Sequence, residues 1–163
     1  MGAGVQAGGV GDGVGAAVRE AATGAVRVAA LSAAPLDVEA HRVAVESPRA
    51  GAVAVFVGQV RDHDPAVDGE VIALEYSAHP DAEAVLGRIA AELAADPDVL
   101  GLAVSHRTGR LGVGDVAIVA CVATAHRARA FDVCRELVER VKAEVPIWKR
   151  QLLADGTHTW VGL

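Results

Sequence analysis

The sequence predicts an α+β domain built around a largely antiparallel sheet. Short β-branched runs recur along the chain, amphipathic helical stretches separate them, and turn-forming residues join several of the runs into hairpins. The length of 163 residues suits one domain, and the 52% hydrophobic content comes mainly from Ala, Val and Leu, because only 3% of the residues are aromatic. We therefore expect an aliphatic core.

The first 25 residues differ in composition from the rest of the chain. Residues 1–25 are so rich in Gly and Ala that they can bury little apolar area, and we expect a disordered leader. The segment GDGVGA within it fits the loose form of a dinucleotide-binding loop, but no strand precedes it. We therefore expect no cofactor there, and we place the folded domain at residues 26–163.

The first half of the domain is predicted to contain a helix and three strands. Asp37 is placed to cap the helix, and a polar loop, RDHDPAVDG, joins the last two strands. We predict that these two strands form a hairpin with a long tip. The segments are a strand at 26–32, a helix at 35–45, and strands at 51–60 and 70–78.

The middle of the chain predicts one helix followed by two strands. Apolar side chains recur with helical spacing over residues 79–96, and Pro80 lies near the start of that helix. Strands are predicted at 99–107 and 115–124. The connection TGRLGVG contains three glycines and is typical of a turn.

The longest helix is predicted over residues 125–145. Its apolar residues step by three and four positions and form one stripe, and Pro146 ends the helix because proline restricts the residue before it. After the proline, IWKRQLL and HTWVGL are predicted to be short strands around the turn ADG. The stripe consists of Phe131, Cys134, Val138, Val141 and Val145.

The bulk composition excludes several classes of function. A net charge of -6 argues against general nucleic-acid binding, which needs a concentrated positive field. No apolar run is long enough for a membrane helix, and no signal peptide is evident. Cys121 and Cys134 lie in apolar surroundings without C-x-x-C spacing, so we expect reduced core cysteines and a cytoplasmic location.

Lys142 and Lys149 are the only lysines in a chain with 15 basic residues. Lysine is a compact donor that can give up a proton or act as a nucleophile, whereas arginine stays charged. Both lysines can also be ordinary surface charges, and the helix dipole alone explains Lys142. Because Pro146 interrupts the helix, only a folded-back segment anchored by Trp148 would bring the two ammonium groups together, where each would lower the other's proton affinity.

Several other basic residues suggest a local anion site. Thr124 is a candidate N-cap, which places His126 and Arg127 in the first helical turn, where free backbone N–H groups favour an anion. Arg61 ends a strand and is placed to reach a ligand above the sheet. The alternative is that these side chains are simply solvated. The nearby segment Asp62–Asp64 lacks the ligand spacing of a zinc site, so we expect no metal.

Five blocks of the sequence together resemble, in order and spacing, the large catalytic subunit of molybdopterin synthase. The resemblance covers about residues 26–161, and its K-x-x-x-P-I-W-K element is specific. The blocks are GAVAVFVGQVRDHD, LEYSAHPDAE, HRTGRLGVGD, AHRARAFDVCRELVERVKAEVPIWKRQ and DGTHTWV.

The resemblance implies both a fold and a partner. The fold is an α/β hammerhead with a small additional antiparallel β subdomain. The expected assembly is a homodimer flanked by two small, ubiquitin-like sulfur-carrier subunits, forming a heterotetramer. The carrier's C-terminal Gly-Gly thiocarboxylate inserts into the large subunit, and two sulfur transfers convert cyclic pyranopterin monophosphate into molybdopterin. No cofactor of its own is implied, and the sulfur arrives on the partner rather than on a cysteine.

The resemblance also assigns roles to individual residues. Lys142 and Lys149 match the family's essential lysines, with proton transfer and charge stabilisation as their expected roles. Phe56 matches an aromatic residue near the carrier tail. The positions that match substrate-binding residues, or that extend the pocket, are Gln59, Val60, Arg61, His126, Arg127, Arg150 and Gln151.

One departure from the family pattern concerns Gln151, where many members carry Glu, so a carboxylate at this position is in doubt. The competing interpretation of the whole chain is a non-catalytic module that binds a phosphorylated ligand through Arg61, His126 and Arg127. The two interpretations differ at the lysines, because a binding module should tolerate arginine there.

Overall fold

The structure, a computed structural model, describes residues 20–162, and this part of the chain forms two β-sheets and three α-helices. The helices are α1 (Val38–Ala44), α2 (Ala82–Ala94) and α3 (Arg127–Glu144). None of these three helices has the length and apolar character needed to cross a membrane. The strands are β1 (Glu20–Thr23), β2 (Val26–Ser32), β3 (Ala52–Gln59), β4 (Val71–Ala78), β5 (Val99–Arg107), β6 (Gly109–Gly112), β7 (Val116–Thr124), β8 (Ile147–Leu153) and β9 (His158–Gly162).

The larger sheet has the strand order β1-β2-β5-β7-β3. β2 and β5 are parallel, and all other neighbours in this sheet are antiparallel. Helices α2 and α3 pack together on one face of the sheet, and the short helix α1 covers the opposite face. Strand β3 lies at one edge and pairs only with β7 among the described strands.

The core is aliphatic, as predicted from the composition. Leu102 and Val104 of β5 pack on the side of α2 and α3, whereas Ala103 of the same strand packs on the side of α1. All three are fully buried. Each buried leucine contributes about 1.5–3 kcal/mol of hydrophobic free energy. The central strands β5 and β7 are therefore covered on both faces and form a rigid support for the residues at their ends.

The smaller sheet is antiparallel and has the strand order β6-β4-β8-β9. Its inner face contributes apolar residues of β4, β6 and β8 to the same core that α2 and α3 cover, including Leu74, Leu111 and Leu153. The two sheets therefore share one core. The predicted α+β class, with a small additional antiparallel β subdomain, is confirmed.

The predicted hairpin of residues 51–60 and 70–78 is wrong. Strand β3 pairs with β7 in the larger sheet, and β4 pairs with β6 and β8 in the smaller one. The polar loop at residues 60–70 therefore crosses from one sheet to the other instead of forming a hairpin tip. The apolar and polar pattern locates the strands, but it carries no information about which distant strand each one pairs with.

The remaining strands and helices agree with the sequence prediction except at a few positions. The connection TGRLGVG contains the short strand β6, and residues 20–25, which were assigned to the leader, form β1 and a tight turn. The rest of the predicted leader, residues 1–19, lies outside the described residues. Thr124 ends β7, so His126 is the N-cap of α3 and makes no side-chain capping bond. Phe131 departs from the apolar stripe because its side chain is 67% exposed.

Candidate active site

A cavity of about 310 Å³ lies between the two sheets, and both lysines of the chain line it. Lys142 comes from the last turn of α3, and Lys149 comes from β8. The proposed role of the two lysines requires their side chains to lie in one pocket, and both do line this cavity. The other lining residues are Gly58, Gln59, Arg61, His63, Asp64, Val71, Leu74, Tyr76, His106, Ala117, Ile118 and Gln151.

Pro146 directs the chain from α3 into β8. Val145, the residue before it, is extended, with φ -75° and ψ 122°, so the helix ends there. The carbonyl of Pro146 accepts a hydrogen bond from the backbone N–H of His79 at 3.0 Å. Trp148 was expected to anchor this segment, but it is 45% exposed. Ile147, which is 2% exposed, is the residue that fixes the start of β8 in the core.

The alternation of side chains along β8 divides its residues between two faces. Lys149 and Gln151 point toward the cavity, whereas Trp148 and Arg150 belong to the opposite face. Arg150 donates a hydrogen bond to Glu75 Oε2 at 2.7 Å and lies over the ring of Trp160, 5.6 Å from its centroid. The structure therefore brings Gln151, but not Arg150, to the lysines.

The end of β3 and the following loop form a second wall of the cavity. Gln59 and Arg61, two of the residues for which the resemblance implies substrate binding, both line it. Val60, between them, is 4% exposed and is not among the lining residues, and its backbone N–H donates to the carbonyl of Asp115 at 3.0 Å. Val60 thus fixes the backbone from which its two neighbours reach the cavity.

Asp64 also lines this cavity, although it was not among the predicted site residues. Its Oδ2 accepts hydrogen bonds from Gln151 Nε2 and, at 3.5 Å, from Lys149 Nζ. Its Oδ1 accepts from the backbone N–H of Ala66 at 2.9 Å. The bond from Ala66, supported by Gln151 and Lys149, holds the pKa of the Asp64 carboxyl below its usual range, although desolvation acts in the opposite direction. The carboxylate is therefore ionised beside Lys149.

His106 and Tyr76 are two further buried residues of the cavity that were not predicted as site residues. The His106 ring meets the Tyr76 ring edge to face, with centroids 5.0 Å apart. His106 Nδ1 lies 2.7 Å from the carbonyl oxygen of Arg107, so Nδ1 carries a proton and donates it. Burial lowers the pKa of His106, and the nearby charge of Lys142 adds to this shift, so the imidazole is neutral near pH 7.

The charges on the cavity wall favour an anionic ligand. Three cationic side chains, Arg61, Lys142 and Lys149, face a single carboxylate, Asp64, among the lining residues. This excess of positive charge is local, because the whole chain has a formal net charge of -6. The cavity can therefore hold a phosphate or a carboxylate-like group.

His126 and Arg127 do not line this cavity. They lie at the start of α3, next to the Ala52 end of β3, because the backbone N–H of Gly51 donates to the carbonyl of Thr124. The lysine cavity lies at the other end of β3, at Gln59. An eight-residue strand separates its two ends by about 23 Å. The structure therefore separates these two predicted substrate-binding residues from the lysines within one chain.

Phe56 lies in a second cavity of about 250 Å³, between β3 and α3. Phe131, Cys134 and Val138 of α3 are among its lining residues, so the cavity is mostly apolar. Phe56 is 36% exposed, and Phe131 is exposed as well. The residue expected near the carrier tail therefore does not line the lysine cavity.

The chain is similar to a defined family of proteins. The profile of the family described as MoaE protein matches residues 31–144, which is more than half of the chain. The molybdopterin synthase catalytic subunit 1 of Mycobacterium tuberculosis is 39% identical over 86% of this chain and 95% of its own length. The molybdopterin synthase catalytic subunit of a Nostoc species is 37% identical over 82% of this chain and 81% of its own length.

The fold is also similar to solved structures. The crystal structure of molybdopterin synthase from Staphylococcus aureus superposes on 82% of this chain and 96% of its own, with a TM-score of 0.74 and 32% sequence identity. A MoaE protein from Burkholderia ambifaria superposes with a TM-score of 0.65 and 32% identity, covering 85% of this chain and 89% of its own. The α/β hammerhead fold expected from the sequence is confirmed by this likeness.

Proposed function

The chain belongs to the MoaE family of molybdopterin synthase catalytic subunits, which are sulfurtransferases of molybdenum cofactor biosynthesis, and we propose that Lys142 and Lys149 are its catalytic residues. In this proposal the enzyme transfers two sulfur atoms from a thiocarboxylated carrier protein to cyclic pyranopterin monophosphate. The observation that carries the assignment is the presence of both lysines in one cavity that has an excess of positive charge.

The residues that line the cavity have different roles in the proposed reaction. Lys142 and Lys149 transfer protons and stabilise the negative charge that develops during sulfur transfer, close to the carbons that receive sulfur. Arg61 and Gln59 bind the phosphate side of the pterin. Gln151 is 1% exposed, and its Oε1 has no hydrogen-bond partner among the described residues. A pterin N–H group satisfies this buried acceptor when the substrate is bound.

The cysteines of this chain do not supply the sulfur. Cys121 and Cys134 are both buried, and burial raises the pKa of the Cys121 thiol to about 12 and also raises that of Cys134. Neither is a thiolate near pH 7, and only a thiolate is a good sulfur nucleophile. A separate protein donor therefore fits this chain better. Reduced buried cysteines also support a cytoplasmic location for the reaction.

The carrier is a small ubiquitin-like subunit whose C-terminal Gly-Gly thiocarboxylate enters the lysine cavity. Its tail is anionic and thin, and it therefore fits a cavity whose wall carries three cationic side chains. The name of the relatives, catalytic subunit, agrees with an enzyme that has a second kind of subunit. Phe56 contacts the carrier from outside the cavity, because it lines the separate apolar cavity beside α3.

A second copy of this chain completes the substrate site. Strand β3 is an edge strand with exposed apolar side chains and no charged residue, and such an edge is a template for pairing with another chain. If two copies pair through β3 in antiparallel fashion, the Ala52 end of one strand meets the Gln59 end of the other. His126 and Arg127 of the partner subunit then lie beside Arg61 and bind the phosphate of the shared substrate. Arg150 stays outside the cavity in this arrangement.

The competing function, a non-catalytic module for a phosphorylated ligand, explains the positive charge but not the two lysines. We expect Lys142→Arg and Lys149→Arg each to reduce product formation on the order of a hundredfold or more, because arginine does not release a proton. Binding of the cyclic pterin should change little, since the charge is kept. The measurement is turnover with a thiocarboxylated carrier, alongside equilibrium binding of the substrate.

The matched control is Arg49→Lys, an exchange of the same two residue types at an exposed position outside the cavity. It should leave both turnover and binding unchanged. Normal product formation by both lysine variants would support the binding module and contradict the catalytic role.

A further inference from the structure

The loop between β3 and β4 places one carboxylate against the catalytic wall of β8. Asp64 lies in this loop, and its side chain is 14% exposed. Its carboxylate contacts Lys149 Nζ at 3.5 Å and accepts a hydrogen bond from Gln151 Nε2. Lys149 and Gln151 are next-but-one neighbours on β8, so both point to the same face of the strand. One carboxylate therefore holds two adjacent residues of the candidate active site.

The loop is built to keep Asp64 in this position. The second carboxylate oxygen accepts from the backbone N–H of Ala66, and the backbone carbonyl of Asp64 accepts from the N–H of Val67 at 3.1 Å. Farther along, the N–H of Val71 donates to the carbonyl of Asp62 at 2.9 Å, which anchors the loop to the start of β4. These bonds fix the carboxylate before any ligand binds, so its contacts with β8 do not depend on a ligand.

Asp64 also determines which end of the Gln151 amide faces the cavity. An ionised carboxylate only accepts hydrogen bonds, so the amide must present its Nε2 donor to Asp64. The Oε1 acceptor is then free, buried and without a partner among the described residues. Gln151 lines the cavity, so we expect an N–H donor of a bound ligand to pair with this unsatisfied acceptor.

The two lysines differ in their ion-pair partners. Lys149 has Asp64 as its ion-pair partner, whereas Lys142 has none among the described residues. Asp64 is also the only carboxylate among the residues that line the cavity. Its charge attracts the ammonium of Lys149 and offsets part of the repulsion between the two cations. The side chain of Lys149 is only 21% exposed, so this attraction is less screened than at the surface.

We propose that Asp64 is a positioning residue for the reaction: its carboxylate holds the Lys149 ammonium and the Gln151 amide in the orientations in which they meet the substrate. This inference rests on the proposed function for its catalytic consequence, but the effect on Lys149 itself can be measured without turnover. The role requires one carboxylate in the pair formed by residues 64 and 151, and it does not require that residue 64 carry it.

The test moves the carboxylate from residue 64 to residue 151. Asp64→Asn removes the charge but keeps a side chain of the same size, and it should lower kcat roughly tenfold to a hundredfold because the lysine is misplaced. Its KM should rise at most a few-fold, as expected for a residue that acts through Lys149. The double variant Asp64→Asn/Gln151→Glu restores a carboxylate, keeps the hydrogen bond between the two residues and leaves an acceptor free at residue 151. It should recover kcat to within about threefold of the parent protein, because the pair is coupled.

Asp68→Asn is the matched control. Asp68 is an exposed carboxylate in the same loop and does not line the cavity, so its removal should leave kcat unchanged. Melting temperatures of all four proteins separate a loss of activity from a loss of folding. If Asp64→Asn turns over at the parental rate, or if the folded double variant recovers nothing, the positioning role is wrong.

A second measurement needs no carrier and no substrate. The chain has two lysines, so the acylation rate of each amine can be followed by mass spectrometry. Asp64→Asn should raise the acylation rate of Lys149 roughly threefold to tenfold, because its amine is no longer held against the carboxylate, and should leave that of Lys142 within about twofold. Equal rates for Lys149 in both proteins would overturn the inference. If the parent protein makes no product although these rates change as expected, the proposed function fails and the positioning of Lys149 stands.

Discussion

At the scale of single residues, His106 shows how burial controls protonation in the candidate active site. The pKa of its imidazole is lowered chiefly by desolvation, and further by the charge of Lys142, from the ordinary value of 6.5. The unfolded chain keeps the ordinary value. Below about pH 6.5 the unfolded state therefore binds a proton that the folded state does not bind, and the folded state loses stability as the pH falls.

This loss of stability at low pH can be tested by urea unfolding. Between pH 7 and pH 5, the free energy of unfolding should fall less in His106→Asn than in the parent protein, because asparagine has no titrating group. Asparagine also carries an N–H donor near the position of Nδ1, so the bond to the carbonyl of Arg107 can be kept. An identical pH dependence in the two proteins would show that His106 is not responsible for it.

The residues of the candidate active site differ in how well the sequence predicts them. Lys142 and Lys149 could be identified because two lysines in an arginine-rich chain are unusual and because the surrounding motif is specific. Asp64 was considered only as a weak metal ligand, although an aspartate followed by Pro65 and Ala66 suits a turn in which the side chain caps the backbone. Its contact with Gln151 spans 87 residues of sequence, and no local pattern predicts a contact of that range.

The departure at Gln151 has a physical explanation in the fold. The family pattern that the sequence resembles has Glu at that position, so the sequence left open whether the site lacks a carboxylate. Asp64 provides a carboxylate within hydrogen-bonding distance of the Gln151 amide. The charge is therefore present in the site, but it comes from a different segment of the chain.

At the scale of the secondary-structure elements, strand β3 carries the proposed interface between two copies of the chain. Val53, Val55 and Val57 are exposed on one face of an edge strand that carries no charged residue. A lysine in the middle of such a strand opposes edge-to-edge pairing, because it would have to bury its charge or face its own symmetry mate. We therefore expect Val55→Lys to convert the dimer of this chain into a monomer.

The measurement is the molar mass from light scattering after gel filtration, and Ile72→Lys is the control, since Ile72 is equally exposed but belongs to the smaller sheet. The Val55→Lys monomer should also lose product formation on the order of tenfold or more, because a partner's His126 and Arg127 no longer reach the phosphate. A dimeric Val55→Lys protein, or a monomer with full activity, would contradict the assembly through β3.

Helices and hairpin-forming strands were predicted better than long-range pairing. The hydrophobic repeat and Pro146 placed α3 and its end correctly, and the turn ADG correctly joined β8 to β9. The pairing of β3 with β7 was missed because β4 is nearer in sequence and has the same apolar pattern. Strand partners far apart in sequence are selected by packing in the core, and this information is not local.

At the scale of the whole molecule, the two sheets form the candidate active site by sharing one core. The larger sheet contributes the end of β3 with Gln59 and Arg61, and the smaller sheet contributes Lys149 and Gln151. α3 packs against the larger sheet and carries Lys142 in its last turn, and Pro146 then directs the chain into β8. An aliphatic core under both sheets holds these three contributions in one place.

The proposed function makes this protein a sulfurtransferase that needs a protein donor. The most direct measurement is product formation by the purified chain with cyclic pyranopterin monophosphate, using either a thiocarboxylated carrier or inorganic sulfide as the sulfur source. We expect molybdopterin formation with the carrier and little product with sulfide, because the cysteines of this chain are buried and protonated. Equal turnover with sulfide, or no turnover with the thiocarboxylated carrier, would show that the proposed function is wrong.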